Sequence, residues 1–148
     1  MEIDIRQVNT ETVGVLADIL REAAQWLEDT GKKNWEPSKF TPERLLHDND
    51  INEIYICFVD NNAAGCIKFQ EIDDFFWPDD EPGEAMYVHK LAVKRQFAGK
   101  GISTYMLEWA RDQAKTRGYK TLKLDCIADR KKLCEFYATQ GFRKVDEK

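Results

Sequence analysis

The chain has 148 residues, 43% of them hydrophobic and 11% aromatic, which suits one compact domain with a sizeable core. Its formal charge of -5 excludes a general nucleic-acid binder, because neutralising phosphates needs a net basic face. No stretch approaches the roughly 20 apolar residues that span a bilayer and the opening MEIDIRQVNT lacks a basic-then-apolar leader, so a cytoplasmic protein without a membrane partner is expected.

Ile3 and Ile5 alternate with polar neighbours and predict a first strand. Val13, Leu16, Ala17, Leu20, Ala24 and Leu27 then recur at helical spacing and stop before Gly31, a helix closed by a glycine. Thr41-Pro42 ahead of Glu43 supplies a capping hydroxyl and a proline at the first helical position, where its missing N–H costs nothing. A short second helix follows. The apolar runs 53–59 and 64–69 flank Asp60-Asn61-Asn62, whose side chains favour tight turns, and predict a hairpin.

Residues 72–83, acidic and broken by proline, predict a long loop, and residues 85–93 another strand. After a glycine-containing turn, Ile102, Tyr105, Met106, Trp109, Ala110, Gln113 and Ala114 trace a helical face ending at Gly118. Residues 121–126 predict a strand. Leu133, Phe136, Tyr137 and Gln140 line a final helix, and Gly141-Phe142 turns into a terminal strand. The order β-α-α-β-β-β-α-β-α-β contains two strand-helix-strand crossovers, which imply an α/β fold of three layers, a mixed sheet with helices on both faces. No repeat or linker divides the chain, so residues 1–148 read as a single domain. Cys57, Cys66, Cys126 and Cys134 form no CxxC and only two histidines accompany them, so buried thiols and no metal are expected.

The most informative segment runs from Leu91 to Ser103, joining a strand to a helix N-terminus. Gly99 and Gly101 permit positive φ and close backbone approach, while the first N–H groups of the helix point outward with the positive end of its dipole. An anionic phosphate is the guest such a turn accepts. A lone Gly-x-Gly is also compatible with a plain tight turn, so context decides.

Three motifs supply that context: the strand Tyr87-Val88-His89-Lys90-Leu91-Ala92-Val93, the turn Gly99-Lys100-Gly101-Ile102, and Leu133-x-x-Phe136-Tyr137-x-x-x-Gly141-Phe142. In this order they resemble the signature of the GNAT superfamily of N-acetyltransferases, and Trp26-Leu27, Gly31, Trp35 and Gly65 are similar to one small-enzyme branch of it. The resemblance implies the acyl-CoA N-acyltransferase fold and acetyl-CoA as cosubstrate. It also implies that Leu91, Ala92 and Val93 offer main-chain hydrogen bonds to the pantetheine arm, in a split between neighbouring strands. Phosphate contacts are implied for Phe97, Ala98, Gly99, Lys100, Gly101, Ile102, Ser103 and Thr104.

Two departures from the family pattern stand out. Gln96-x-x-Gly99-x-Gly101 matches its Gln/Arg-x-x-Gly-x-Gly/Ala pattern literally, yet the spacing from Val93 favours an alignment on Ala98, Gly101 and Ser103. On that alignment an alanine replaces the usual Arg or Gln, a lost charged contact of about 1.5–3 kcal/mol for which Lys94, Arg95 or Lys100 can compensate. Arg130 stands where the family carries an asparagine toward the pantetheine; it can only donate, and Asp129 is the better N-cap of the last helix.

Acyl transfer to an amine needs a neutral nucleophile, stabilisation of the developing oxyanion and a proton for the departing thiolate. The resemblance implies Tyr137 as proton donor; its alternative is a core aromatic. His89 and Glu71 are candidate bases, His89 having a suitable unperturbed pKa, although a strand histidine is more often structural. Trp35, Trp77, Glu84 and Tyr87 are candidates to border the acceptor, and the acidic loop 73–84 could draw in a cationic amine or be merely solvated. The expected partner is a small-molecule or peptide amine bound by a monomer or homodimer. A noncatalytic acyl-CoA sensing module is the alternative; a Rossmann enzyme would place its glycines after the first strand.

Overall fold

The computed structural model describes residues 1–31, 36–73, 77–81, 83–125 and 131–143. Its elements follow the expected order: β1 (Ile3–Gln7), α1 (Val13–Asp29), α2 (Pro42–Asp48), β2 (Ile54–Val59), β3 (Asn62–Gln70), β4 (Met86–Val93), α3 (Ile102–Thr116), β5 (Leu122–Leu124) and α4 (Lys131–Thr139). The anticipated terminal strand and the end of the 121–126 strand lie outside the described residues.

Local signals in the sequence account for most element ends. Thr41 Oγ1 accepts from Arg44 N at 3.2 Å with Pro42 in the first turn of α2. Asp60 and Asn61 both hold positive φ, 49° and 67°, which is the twist a two-residue hairpin turn between β2 and β3 requires. Gly31, Gly118 and Gly141 follow α1, α3 and α4 with φ of 74°, 86° and 91°.

Among the described residues the strands form one five-stranded sheet in sequence order. β1 to β4 are antiparallel neighbours, whereas β4 and β5 are parallel, with α3 as the crossover that a parallel pair needs. Side chains alternate across the sheet. Ile54, Ile56, Cys66 and Ala92 join Leu16, Leu20 and Leu45 of α1 and α2 in one core. Cys57, Val59, Ile67, Phe69, Met86 and Val88 join Met106, Leu107 and Ala110 of α3 in the other. Helices therefore cover both faces, the three-layer α/β/α arrangement, and α3 and α4 bring their residues to the end of β4.

Candidate active site

β4 leaves its parallel neighbour part-way along its length. Met86, Tyr87 and Val88 pair with Leu122, Lys123 and Leu124; among the described residues no strand pairs that edge from His89 to Val93. A bulge lies in the same stretch of β4. Cys66 and Lys68 of β3 face Ala92 and His89, so two steps on β3 match three on β4, and Lys90, within the longer stretch, has φ of 51°. On the other edge β3 stays close because position 65 is glycine: a Cβ there would lie 2.5 Å from the Ala92 carbonyl oxygen. Among the described residues the segment carrying Leu91, Ala92 and Val93 thus has one edge bonded and one open, a geometry that suits a strand receiving an extended ligand.

At the C-terminal end of that segment Arg95–Phe97 makes a single 3₁₀ turn, and Gly99 and Gly101 follow with φ of 76° and 78°. Gly101 is the N-cap of α3, and the Tyr105 N–H bonds its carbonyl at 3.0 Å. The N–H groups of Ile102, Ser103 and Thr104 consequently have no partner within the helix and point along its positive end. They open on a cavity of about 350 Å³ that also takes in Val93, Phe97, Ala98, Gly99 and Gly101. Ala98 lines this cavity, while Gln96 is exposed and is not among its lining residues. Lys100 is exposed, with Nζ 5.9 Å from the Phe97 ring.

Two residues to which no phosphate contact was assigned also border the cavity, one of them, Arg95, already a candidate to replace the missing charge. Arg95 borders it with its guanidinium 4.2 Å from the Trp26 ring, while its N–H donates to Glu22 of α1 at 3.3 Å. A cation held this way stands near the place left without charge by Ala98; its signal in the sequence was a basic residue three positions from a missing one. Phe136 of α4 is the other.

Where β4 and β5 separate, a polar network crosses the sheet. His89 Nε2 lies 2.8 Å from Asp73 Oδ2, and Nδ1 lies 2.9 Å from Asp125 Oδ1. Burial opposes its charge, but hydrogen bonding and attraction from Asp125 and then Asp73 outweigh it and raise the imidazole pKa. Asp80 accepts from both the Tyr87 hydroxyl and Lys123 Nζ at 2.6 Å, and Lys123 lies 4.5 Å over the Trp77 ring. Burial and then the Asp80 bond raise the Tyr87 pKa. Two carboxylates of the acidic loop are therefore committed to pinning it down, which diminishes the loop as a steering field. Among the described residues no group of three or more His, Cys, Asp or Glu side chains could hold a metal ion.

The matching family model is described as the acetyltransferase (GNAT) family and covers residues 20–142. The chain belongs to the GNAT acetyltransferase family. The uncharacterized N-acetyltransferase YesJ of Bacillus subtilis (strain 168) is 30% identical over 140 residues, 86% of this chain and 74% of YesJ. A GNAT-family acetyltransferase structure from Listeria monocytogenes superposes with a TM-score of 0.83 at 22% identity, covering 100% of this chain and 90% of that one. The PaiA N-acetyltransferase of Thermoplasma acidophilum, solved in complex with coenzyme A, gives 0.79 at 22% identity, with 100% and 94% covered. The two structural likenesses establish the GNAT fold.

Within this GNAT fold the candidate catalytic residues are not gathered together. Tyr137 stands on α4 beside Phe136, ring centroids 5.6 Å apart, close to the turn cavity. Glu71 faces Arg117 at 3.8 Å, at the far end of α3, about 20 Å of helix away from the turn. His89 has both ring nitrogens directed at carboxylates, so as arranged it lacks the free lone pair a base needs. Among the acceptor-side candidates, Trp77 belongs to the pinned loop and Tyr87, on β4, donates its hydroxyl to that loop's Asp80. Glu84 accepts from Glu81 N–H at 2.9 Å, closing a turn. Trp35 and Arg130 lie outside the described residues, as does Asp129.

Proposed function

We propose that this single domain moves the acetyl group of acetyl-CoA to a primary amine of a small molecule or peptide, by direct attack in a ternary complex. Family membership supports an acetyl-CoA-dependent N-acetyltransferase, and the residues present suit that donor. The observation that carries the reading is the continuity between the open edge of β4 and the turn. A cavity with unbonded helix N–H groups, suited to a pyrophosphate, stands at one end of a strand segment whose free main-chain groups suit an amide-bearing arm. The turn would be filled through Gly99, Gly101, Ile102, Ser103 and Thr104, with Arg95 adding charge, and the arm by Leu91, Ala92 and Val93.

When bound, the thioester supplies an acyl carbon at which amine nitrogen replaces sulfur: a C–N bond forms and the C–S bond breaks. The chain's part is chiefly alignment, worth roughly 7–11 kcal/mol when two reactants are held in attack geometry. Tyr137 gives its hydroxyl proton to the departing sulfur. The proton that the amine sheds goes to water, because the His89 imidazole is engaged on both sides. His89 acts as a positioning residue that ties the loop at Asp73 to Asp125.

Isothermal titration with acetyl-CoA, followed by thiol release on adding a panel of amines, tests the reading. Binding with release is the expected result. Binding without release from any amine would favour the acyl-CoA sensing module instead, and no binding would refute the assignment of the turn.

A further inference from the structure

A second cavity, of about 330 Å³, lies between α2, the 3₁₀ turn Pro37–Lys39 and β4, and it opens at Lys90. Lys90 is the bulge residue at which β4 has already left β5 and is three residues, about 10 Å of strand, from Val93 in the turn cavity. The two cavities therefore stand at opposite ends of the open segment. The left-handed backbone at Lys90, uncommon for a side chain of that size, sends its ammonium toward the Phe40 ring, 5.8 Å from the centroid.

The charges around this cavity are unevenly satisfied. Of its two carboxylates, Glu36 faces Lys39 at 3.7 Å, while Asp48 lies 2.8 Å from the exposed His47 ring and also attracts Arg44 and Lys90 from beyond salt-bridge distance. Among the described residues neither Arg44 nor Lys90 has an ion pair. Lys68, next to Lys90, donates only to the neutral Asn49 side chain at 2.8 Å. Burial, then repulsion from Lys68, holds the Lys90 pKa below the ordinary lysine value, and burial does the same for Lys68. Two half-buried ammonium groups side by side, with no carboxylate of the described residues within salt-bridge distance, are an unfavourable arrangement that an anion in the adjoining cavity would offset.

We infer that this cavity is an acceptor subsite for an anionic group, so that the amine acetylated also carries a carboxylate or phosphate, bound by Lys90 and Arg44. The word acceptor rests on the acetyltransferase reading above; the anion site itself rests on the charges. An amine that bears an anion of its own replaces the cationic acceptor suggested by the acidic loop.

The direct test is titration of inorganic phosphate into the protein saturated with coenzyme A, so that the turn is already filled. Phosphate should bind, and its affinity should fall at least about tenfold in Lys90→Gln and in Arg44→Gln while Lys90→Arg retains it. Arg44 is exposed, so its replacement reads the site even if Lys90→Gln folds poorly. In turnover, amino acids should surpass their carboxamides in kcat/KM by about tenfold or more, and Lys90→Gln should bring that ratio toward one. Equal phosphate affinity in wild type, Lys90→Gln and Arg44→Gln overturns the anion site; carboxamides serving as well as acids overturns its acceptor role. Failure of coenzyme A to bind, or of every amine to release thiol, counts against the acetyltransferase reading separately, since the phosphate titration repeated without coenzyme A still reads this cavity through the difference between wild type and the Lys90 and Arg44 variants.

Discussion

Tyr137 follows Phe136, which borders the turn cavity, and its ring packs edge-on against Phe142 at 6.1 Å. Tyr137→Phe keeps the ring contacts and removes only the hydroxyl. We expect kcat to fall by about 100-fold, the lower range of general acid catalysis, with coenzyme affinity in calorimetry unchanged; equal turnover would take the hydroxyl out of the mechanism. His89 makes a different prediction, because its folded-state pKa is raised above 6.5. The imidazolium's contribution to stability is then fully present below about pH 6.5 and is lost as pH rises through the raised folded-state value. Wild type should exceed His89→Gln by about 1.5–3 kcal/mol near pH 5.5, with a smaller margin near pH 9, in urea titrations at each pH. A margin that stays constant with pH would show that the ring is not charged in the fold.

At the scale of elements, the β2–β3 hairpin was legible because Asp60 and Asn61 tolerate the left-handed backbone that its turn needs. The turn before α3 was legible for the same reason through Gly99 and Gly101. The bulge in β4 was not. It falls on a lysine, with no glycine to announce it, inside a run that reads as uninterrupted strand, and it exists because β3 and β4 pair out of step. Its freed carbonyl, that of Lys90, is taken by the Cys66 thiol at 3.3 Å, and burial pushes that thiol up to about 12. The fixed roles of His89 and Tyr87 were illegible too, because Asp73, Asp80 and Asp125 reach them only through the fold. Gly65 is the element-scale test. Gly65→Ala would press a methyl against the Ala92 carbonyl and the Met106 side chain, so β4 must shift. A loss of about 1–3 kcal/mol is expected in urea denaturation, together with weaker acetyl-CoA binding. Unaltered stability and affinity would mean that β3 does not hold the open segment in place.

For the whole molecule, the two cores share one sheet, and the proposed donor site spans the seam between them. Trp26 of α1 stacks on Arg95, α3 contributes the amides, and Phe136 brings in α4. A ligand bound there ties together layers that unfold together, and its binding free energy adds to the stability of the whole chain. Coenzyme A at 100 times its dissociation constant would contribute about 2.7 kcal/mol, a rise in Tm of roughly 5–10 °C for a domain of this size. Gly101→Val should abolish that rise. A Cβ at position 101 meets no protein atom within 4 Å, so the variant is not excluded by crowding, but φ of 78° is a backbone that a β-branched residue adopts only with strain. Relaxing it would turn the first amides of α3 away from the cavity. Thermal melts of both proteins with and without coenzyme A separate the effects: a lower Tm for the ligand-free variant reports the strain, and loss of the ligand-induced rise reports the cradle. If the rise survives in Gly101→Val, the phosphates are held elsewhere and the turn is only a turn.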